Sequence, residues 1–430
     1  MMIANQVTSA LPKMVPLESG SAPASPTSVA ATGVARAVLA DIAIKTAYIL
    51  PQFTAEDIAK RMHLPQVVIA ELLEAMRTDN LLEVLGHSEQ QGYRYNLSQR
   101  GRERAQRQLD ISGYIGPAPV SLDAYTAMFE WDASQPRAIT PQQVGQALGD
   151  LVLDSASVEV AGMAVSSGRS LFVSGPPGNG KTSMGRALHN VMQGEIWIPH
   201  AIAVDNHIIR LYDTHCHQAV EVDAKSGMID ARWIKVKRPF VVAGGEMTLE
   251  SLDMTYLPSL KYYEAPLHMK ANGGTFLIDD FGRQHVEPSE LLNRWIIPLE
   301  HRVDFLTLFG GQKIQVPFLL MLIIATNLRP EDVTDPAFLR RIGYRLTIDK
   351  PTPDNYNAIF RRYAERYNIT VNDTFLKALH ARYEASKKEL RACEPRDLIE
   401  RMRDICLYRG EAVTVNEELL GLAWKAYFGG

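Results

Sequence analysis

Gly175-Pro-Pro-Gly-Asn-Gly-Lys-Thr182 sets glycines, a lysine and a threonine hydroxyl at a spacing that lets backbone N–H groups wrap a phosphate while both side chains reach it. Glycine allows successive amides to turn inward without a Cβ in the way, and a helix starting at the lysine adds its positive dipole end. At this spacing Lys181 reaches the β- and γ-phosphates of a nucleoside triphosphate, and the Thr182 hydroxyl ligates Mg2+. Gly175, Pro176, Pro177, Gly178, Asn179, Gly180 and Ser183 complete the candidate lining. A second cluster, Thr275-Phe-Leu-Ile-Asp-Asp280, ends an apolar run in paired carboxylates. Asp279 suits a metal held directly or through water, and Asp280 suits orienting or deprotonating a water that attacks the terminal phosphate. Acidic residues commonly follow strands, so the second cluster gains its meaning from the first.

Such groups need rigid elements behind them. Leu171-Phe-Val173 is a short apolar run leading straight into the glycine loop, and Ser183 to Met192 has a helical pattern, which makes strand, loop and helix in the required order. The apolar run before Asp279 reads as a buried strand beside the loop strand, and Val316 to Ala325 reads as another. The expected fold class is therefore α/β, a parallel sheet of P-loop type that holds its ligand at the carboxyl edge of the strands.

The chain of 430 residues carries 45 Lys+Arg against 49 Asp+Glu and is 46% hydrophobic. At roughly 100–200 residues per domain this predicts two to four domains. The near-neutral balance argues against a protein that coats polyanions. Three cysteines, Cys216, Cys393 and Cys406, make no disulfide framework and suit a reducing compartment. No stretch approaches the roughly 18 apolar residues that span a bilayer, and the first 35 residues do not read as a secretory signal. The expectation is a soluble, cytoplasmic protein with no membrane insertion.

Residues 1–33, rich in Ser, Ala and Pro, read as a disordered tail. Residues 34–112 read as helices, with Thr54 capping one and a second starting near Pro65, followed by a strand pattern at Tyr93, Tyr95 and Leu97. This order resembles a winged-helix module. The resemblance raises DNA binding, but the segment has ten basic and ten acidic residues, and its candidate recognition helix carries Glu71 and Glu74 with only Arg77 as a base. A helix that enters a groove needs donors aimed at bases and phosphates, so protein docking or a structural role is favoured and DNA is not. Residues 113–137 read as a linker, 138–350 as the nucleotide-binding α/β domain, and 351–430 as a helical lid. The long passage between Lys181 and Asp279 predicts a β-rich insertion over about 195–245, with a hairpin turn at Asp205-Asn206. Within it, Thr214-His-Cys-His217 would set two histidines on one strand face, but no further ligand cluster follows and ordinary histidines are favoured.

From about Ala138 to Gly430 the chain resembles the AAA+ ATPases, on the loop (Walker A), on "GGTFLIDDFGR" (Walker B) and on "IIATN". The resemblance implies ATP as the nucleotide, with Mg2+ held by Thr182 and Asp279. It makes Asn327 a sensor 1 residue between γ-phosphate and water, and Arg396, in Glu394-Pro-Arg-Asp-Leu398, a sensor 2 residue on the lid. Asp335-Pro-Ala-Phe-Leu-Arg-Arg-Ile342 resembles the arginine-finger segment, with Arg341 preferred, then Arg340, then Arg345. Leu151 and Val152 are the implied adenine contacts. Val303 to Leu308 and Lys313 to Pro317 around Gly310-Gly311 resemble the pre-sensor-1 hairpin of the clade that includes MoxR-like ATPases and enhancer-binding activators, whereas the activators' GAFTGA loop is absent. The family usually has Asp-Glu where this chain has Asp279-Asp280, so the expectation is either slow hydrolysis or a site that acts mainly as a nucleotide-gated switch. The function implied is an ATP-hydrolysing homo-oligomer, a ring with six subunits among the sizes open to it, that remodels an unidentified protein partner. The alternative is a nucleotide-regulated, winged-helix DNA-binding transcription regulator with little hydrolysis.

Overall fold

Successive residues of a strand point to opposite faces, and in the run Leu171-Phe-Val173 both faces are apolar and buried. Phe172 joins Phe276, Ile278, Leu322 and Trp295 in one core, while Leu171 and Val173 join Met184, Leu277 and Ile323 in another. A sheet buried on both sides is what parallel strands joined by helices produce. The computed structural model describes residues 10–18, 20–88, 92–136, 138–222, 227–329 and 336–429.

In chain order, β1 (Met14–Leu17) and β2 (Gly20–Pro23) precede α1 (Arg36–Tyr48), α2 (Ala55–Met62), α3 (Gln66–Thr78), β3 (Leu82–Ser88), β4 (Gly92–Leu97) and α4 (Gln99–Ile111). There follow β5 (Val120–Ser121), α5 (Leu122–Ser134), α6 (Pro141–Ala147), α7 (Ser155–Ser167), β6 (Leu171–Ser174) and α8 (Lys181–Val191). Then come β7 (Glu195–Pro199), β8 (Ala201–Val204), β9 (His207–Arg210), β10 (Trp233–Lys237), β11 (Phe240–Ala243), β12 (Thr255–Leu257) and β13 (Tyr262–Glu264). The chain continues through α9 (Leu267–Lys270), β14 (Thr275–Phe281), α10 (Pro288–His301), β15 (Val303–Thr307), β16 (Lys313–Pro317), β17 (Met321–Thr326), α11 (Pro336–Leu339) and β18 (Tyr344–Thr347). It ends in α12 (Pro353–Glu365), α13 (Asp373–Ala385), α14 (Glu394–Arg409) and α15 (Glu417–Phe428), which share one core around Tyr356, Phe360, Leu398 and Trp424.

The central sheet runs β11-β14-β17-β6-β18, with every neighbouring pair parallel. Strand β14, which carries Asp279, does not lie beside β6 as expected, because β17 is inserted between them. A second, mixed sheet runs β12-β13-β9-β8-β5. The hairpin expected at Asp205-Asn206 is present as β8 and β9, with Asp205 at φ 50°. The expected insertion at 195–245 is redrawn, however. Strand β11 belongs to the central sheet, and the second sheet recruits β12, β13 and the distant β5. The hairpin expected at 303–317 is present as β15 and β16.

Three expectations are corrected. Within the expected tail β1 and β2 pair antiparallel, Ala22 is buried, and Trp197 Nε1 donates to the Ser21 carbonyl at 2.9 Å. Met14, Val15 and Leu17 pack with Ala22 against a core that includes Trp197, so the segment is ordered by partners far along the chain. The expected linker contains α5, capped by Ser121 and burying Tyr125, Met128 and Phe129. The segment Thr214–His217 is a turn rather than a strand, and its histidines diverge: His215 is exposed, whereas His217 is buried against the Lys270 carbonyl at 2.8 Å. Among the described residues no group of three or more His, Cys, Asp or Glu could hold a metal, and no helix is long and apolar enough to cross a membrane.

Candidate functional site

The glycine loop leaves the carboxyl end of β6 and enters α8 at Lys181. At two of its positions a side chain would be both strained and crowded. A Cβ on Gly175, at φ 143°, would lie 2.1 Å from the Ile348 carbonyl oxygen, and one on Gly178, at φ 79°, would lie 2.6 Å from Cys393 Sγ. The Lys181 side chain is folded back, and its Nζ donates to the carbonyls of Gly175 and Pro176, both at 2.9 Å, and to Asn327 Oδ1 at 2.7 Å. Burial lowers the pKa of the ammonium, the Asp280 and Asp279 carboxylates oppose that shift, and Arg283 adds to it. A desolvated cation whose partners are neutral oxygens is ready to exchange them for an anion.

Thr182 Oγ1 lies 2.9 Å from both Asp279 carboxylate oxygens. One hydroxyl proton cannot serve both in full, so three oxygens converge as hard-cation ligands do. Asp279 and Asp280 sit where β14 slips register against β17 between Ile278 and Phe281. Asp280 adopts φ 48°, a left-handed conformation that costs a non-glycine residue roughly 1–2 kcal/mol. The irregularity turns its half-exposed carboxylate toward Asn327, whose Nδ2 donates to it at 3.2 Å. Gln284 was missed by sequence reasoning. Its Nε2 donates to the Asp279 carbonyl at 3.2 Å and the Gly244 carbonyl at 3.3 Å, and its Oε1 accepts from Gly282 N at 2.8 Å. It thereby ties the acidic turn to the end of β11; a glutamine in a loop carries no local signal of this.

The helical domain closes directly on the loop. Cys393 N donates to the Gly178 carbonyl at 2.8 Å, and Ala392 N donates to Asn179 Oδ1 at 3.0 Å. That bond fixes the Asn179 amide and leaves its buried Nδ2 without a partner, a donor held at the loop for an acceptor still to come. On the other side, Arg362 on α12 donates to the Gly149 carbonyl, and Arg366 pairs with Asp150 at 2.7 Å. Leu151 follows directly and abuts the loop, its Cδ2 3.1 Å from where a Gly180 Cβ would stand; Val152 beside it is partly buried. Arg396, on the first turn of α14, is paired with the Asp397 carboxylate at 3.0 and 2.9 Å.

Lys181, Thr182, Asp279, Asp280 and Asn327 are thus brought together, while the arginines near residue 341 are not. Arg340 and Arg341 precede β18 at the amino-terminal end of the parallel strands, opposite the loop, and Arg341 Nε donates to Glu300 at 2.9 Å. Arg345 is exposed on β18, level with Phe172. Asp335, the start of the expected finger segment, lies outside the described residues.

A parallel sheet, a glycine loop running from an inner strand into a helix, carboxylates at the same sheet edge and a helical domain over the loop together define a P-loop NTPase fold. The glycine cradle, the orphan amide and the converging oxygens fit a triphosphate with its divalent cation. A family model described as a domain of unknown function, DUF8689, matches residues 352–426, the helical domain. No curated protein matches the chain. Similar solved structures include Brucella abortus NtrX in complex with ADP, at 16% identity over 65% of this chain and 56% of that one, with a TM-score of 0.39. NtrX in complex with ATP is similar at 13% identity over 74% of this chain and 62% of that one, TM-score 0.38. A Thermotoga maritima RuvB mutant is similar at 13% identity over 72% and 73%, TM-score 0.37. The chain spans less than two thirds of both NtrX chains.

Proposed function

We propose that this chain is an AAA+ ATPase that binds ATP with Mg2+, hydrolyses it slowly, and works as a homo-oligomer on a protein partner. The observation that carries the reading is the meeting of Lys181, Asn327 and Asp280 at one point with Thr182 and Asp279 beside it. Lys181 and the loop amides would hold the phosphates, and Leu151 and Val152 would flank the base. A divalent cation held by Thr182 and Asp279 would neutralise phosphate charge. Asn327 orients the Asp280 carboxylate, which would take the proton of the attacking water; its short side chain and its exposure argue for slow turnover.

The placement of Arg340 and Arg341 supports the assembly reading. They lie at the end of the sheet opposite this chain's own loop, so an arginine finger here would act on a nucleotide carried by another copy. Arg396, near the lid's contact with the loop, would register the same nucleotide from within the chain. A protein partner is favoured over DNA. On α3 the outward residues include Glu71 and Glu74, and Glu71 is already engaged by the Val29 amide at 2.9 Å. The tip of the β15–β16 hairpin instead offers Phe309, 83% exposed.

The test is assembly mass and phosphate release measured together, with and without ATP–Mg2+. Expected are a larger particle with nucleotide and slow phosphate release that Arg341→Ala abolishes. A constant monomer that releases no phosphate would refute the reading.

A further inference from the structure

Three consecutive backbone amides find different acceptors where the helical domain meets the glycine loop. Ala392 N donates to Asn179 Oδ1 and Cys393 N to the Gly178 carbonyl, whereas Arg391 N donates to Glu394 Oε2 at 3.1 Å. Glu394 is the first residue of α14 and is 3% exposed, and the same oxygen accepts from the Tyr383 hydroxyl at 2.7 Å. The Tyr383 and Tyr356 hydroxyls lie 2.8 Å apart, and both rings are buried in the core of the helical domain. Tyr356 belongs to α12, the helix whose Arg362 donates to the Gly149 carbonyl. A buried carboxyl group costs free energy unless its oxygens are satisfied. Here one oxygen links the turn before α14 to α13 directly, and to α12 through Tyr383. Burial raises the Glu394 pKa, and the bonds from Tyr383 and the Arg391 amide oppose the rise.

We propose that Glu394 is a positioning residue: by holding the Arg391 amide it sets the turn at 391–393, so that the next two amides meet Asn179 and Gly178 and keep the loop in the geometry that receives phosphate. It acts through Ala392 and Cys393. Hydrogen bonds weaken steeply as they lengthen or bend, so two bonds at 3.0 and 2.8 Å need the residue before them fixed. The Glu394 amide also closes the turn, donating to the Arg391 carbonyl at 3.1 Å, and that backbone bond survives substitution of the side chain. The effect on turnover rests on the ATPase reading; the control of the turn does not.

The full chain is compared with Glu394→Ala and Glu394→Gln by amide hydrogen exchange and by steady-state ATP turnover. Glutamine offers a neutral acceptor oxygen at the same place; alanine offers none. In Glu394→Ala, exchange at Ala392 and Cys393 should rise at least about tenfold, the loss of one hydrogen bond's worth of order, while Leu398 to Met402 stay protected. The same variant should lose about tenfold in kcat at nearly constant KM, and Glu394→Gln should restore both. Unchanged exchange at Ala392 and Cys393 overturns the proposal. So does a loss of protection spread through α14, which would make Glu394 a support of the whole domain. A turnover change confined to KM, or a Glu394→Gln chain as impaired as Glu394→Ala, also overturns it. Should Glu394→Ala fail to fold, Tyr383→Phe, which removes only the hydroxyl that Glu394 accepts, carries the comparison. The exchange measurement needs no turnover, so it decides the control of the turn even where the ATPase reading fails.

Discussion

The Thr182 hydroxyl faces the open edge of the Asp279 carboxylate, 2.9 Å from each oxygen, although the two residues come from different elements of the core. Nothing in α8 or β14 alone demands that approach. It is the arrangement a hard cation needs from two of its ligands. Asp279→Asn keeps the shape and removes the charge. Triphosphate affinity in Mg2+ should then fall by about 10- to 100-fold, the loss of one charge-assisted contact, while affinity in EDTA changes little. Titrations in the two buffers check this; equal losses in both would contradict a cation-holding role.

Gln284 bonds backbone groups and so spans the Asp279 and Asp280 turn and the end of β11. Gln284→Ala should leave nucleotide affinity nearly unchanged and lower turnover by about tenfold, since small misplacement of a catalytic group is costly. Steady-state kinetics and equilibrium binding separate the two effects. A matching loss of affinity would mean that Gln284 supports the fold rather than the carboxylates.

Gly178 faces Cys393 across the contact between loop and helical domain. Gly178→Ala adds left-handed strain of about 1–2 kcal/mol and drives a methyl group into the Cys393 sulfur. Adding Cys393→Ala should recover the steric part and leave the strain. Urea unfolding of the single and double variants measures the difference; no recovery would place the sulfur elsewhere.

Burial, helped by the charges of Arg186 and Arg238, pushes His189 down to about 4, and burial with the charge of His63 pushes His200 down to about 4, against an ordinary 6.5. Between those values the unfolded chain binds protons that the folded chain refuses. Stability should therefore fall as pH drops through this window, by up to about 1.4 kcal/mol per pH unit for each histidine. Urea midpoints from about pH 7 to pH 4.5 test it, and His200→Asn should flatten the slope. An unchanged slope would mean that His200 is not held neutral.

The chemistry of the loop was legible because eight consecutive residues carry it and the strand and helix beside it are contiguous. The Thr54 cap was legible for the same reason, and the structure adds a reciprocal bond from the Thr54 N–H to the Asp57 carboxylate. What escaped depends on distant partners. Helix α5 was hidden by the Gly/Pro-rich stretch before it, although Tyr125, Met128 and Phe129 have helical spacing. The paired strands β1 and β2 are only four residues each in a Ser/Ala/Pro-rich stretch, and their burial comes from Trp197 and its neighbours. The place of β17 between β6 and β14, and the register slip that aims Asp280 at Asn327, belong to sheet topology, which no local pattern encodes.

The most direct measurement is calorimetric titration of the purified full chain with ATP–Mg2+, beside the Lys181→Ala chain. Expected is one site per chain at up to millimolar nucleotide, weakened by about 100-fold or more when the Lys181 ammonium is removed. No uptake by the folded chain, or uptake indifferent to Lys181→Ala, would contradict a triphosphate held between the glycine loop and Asp279.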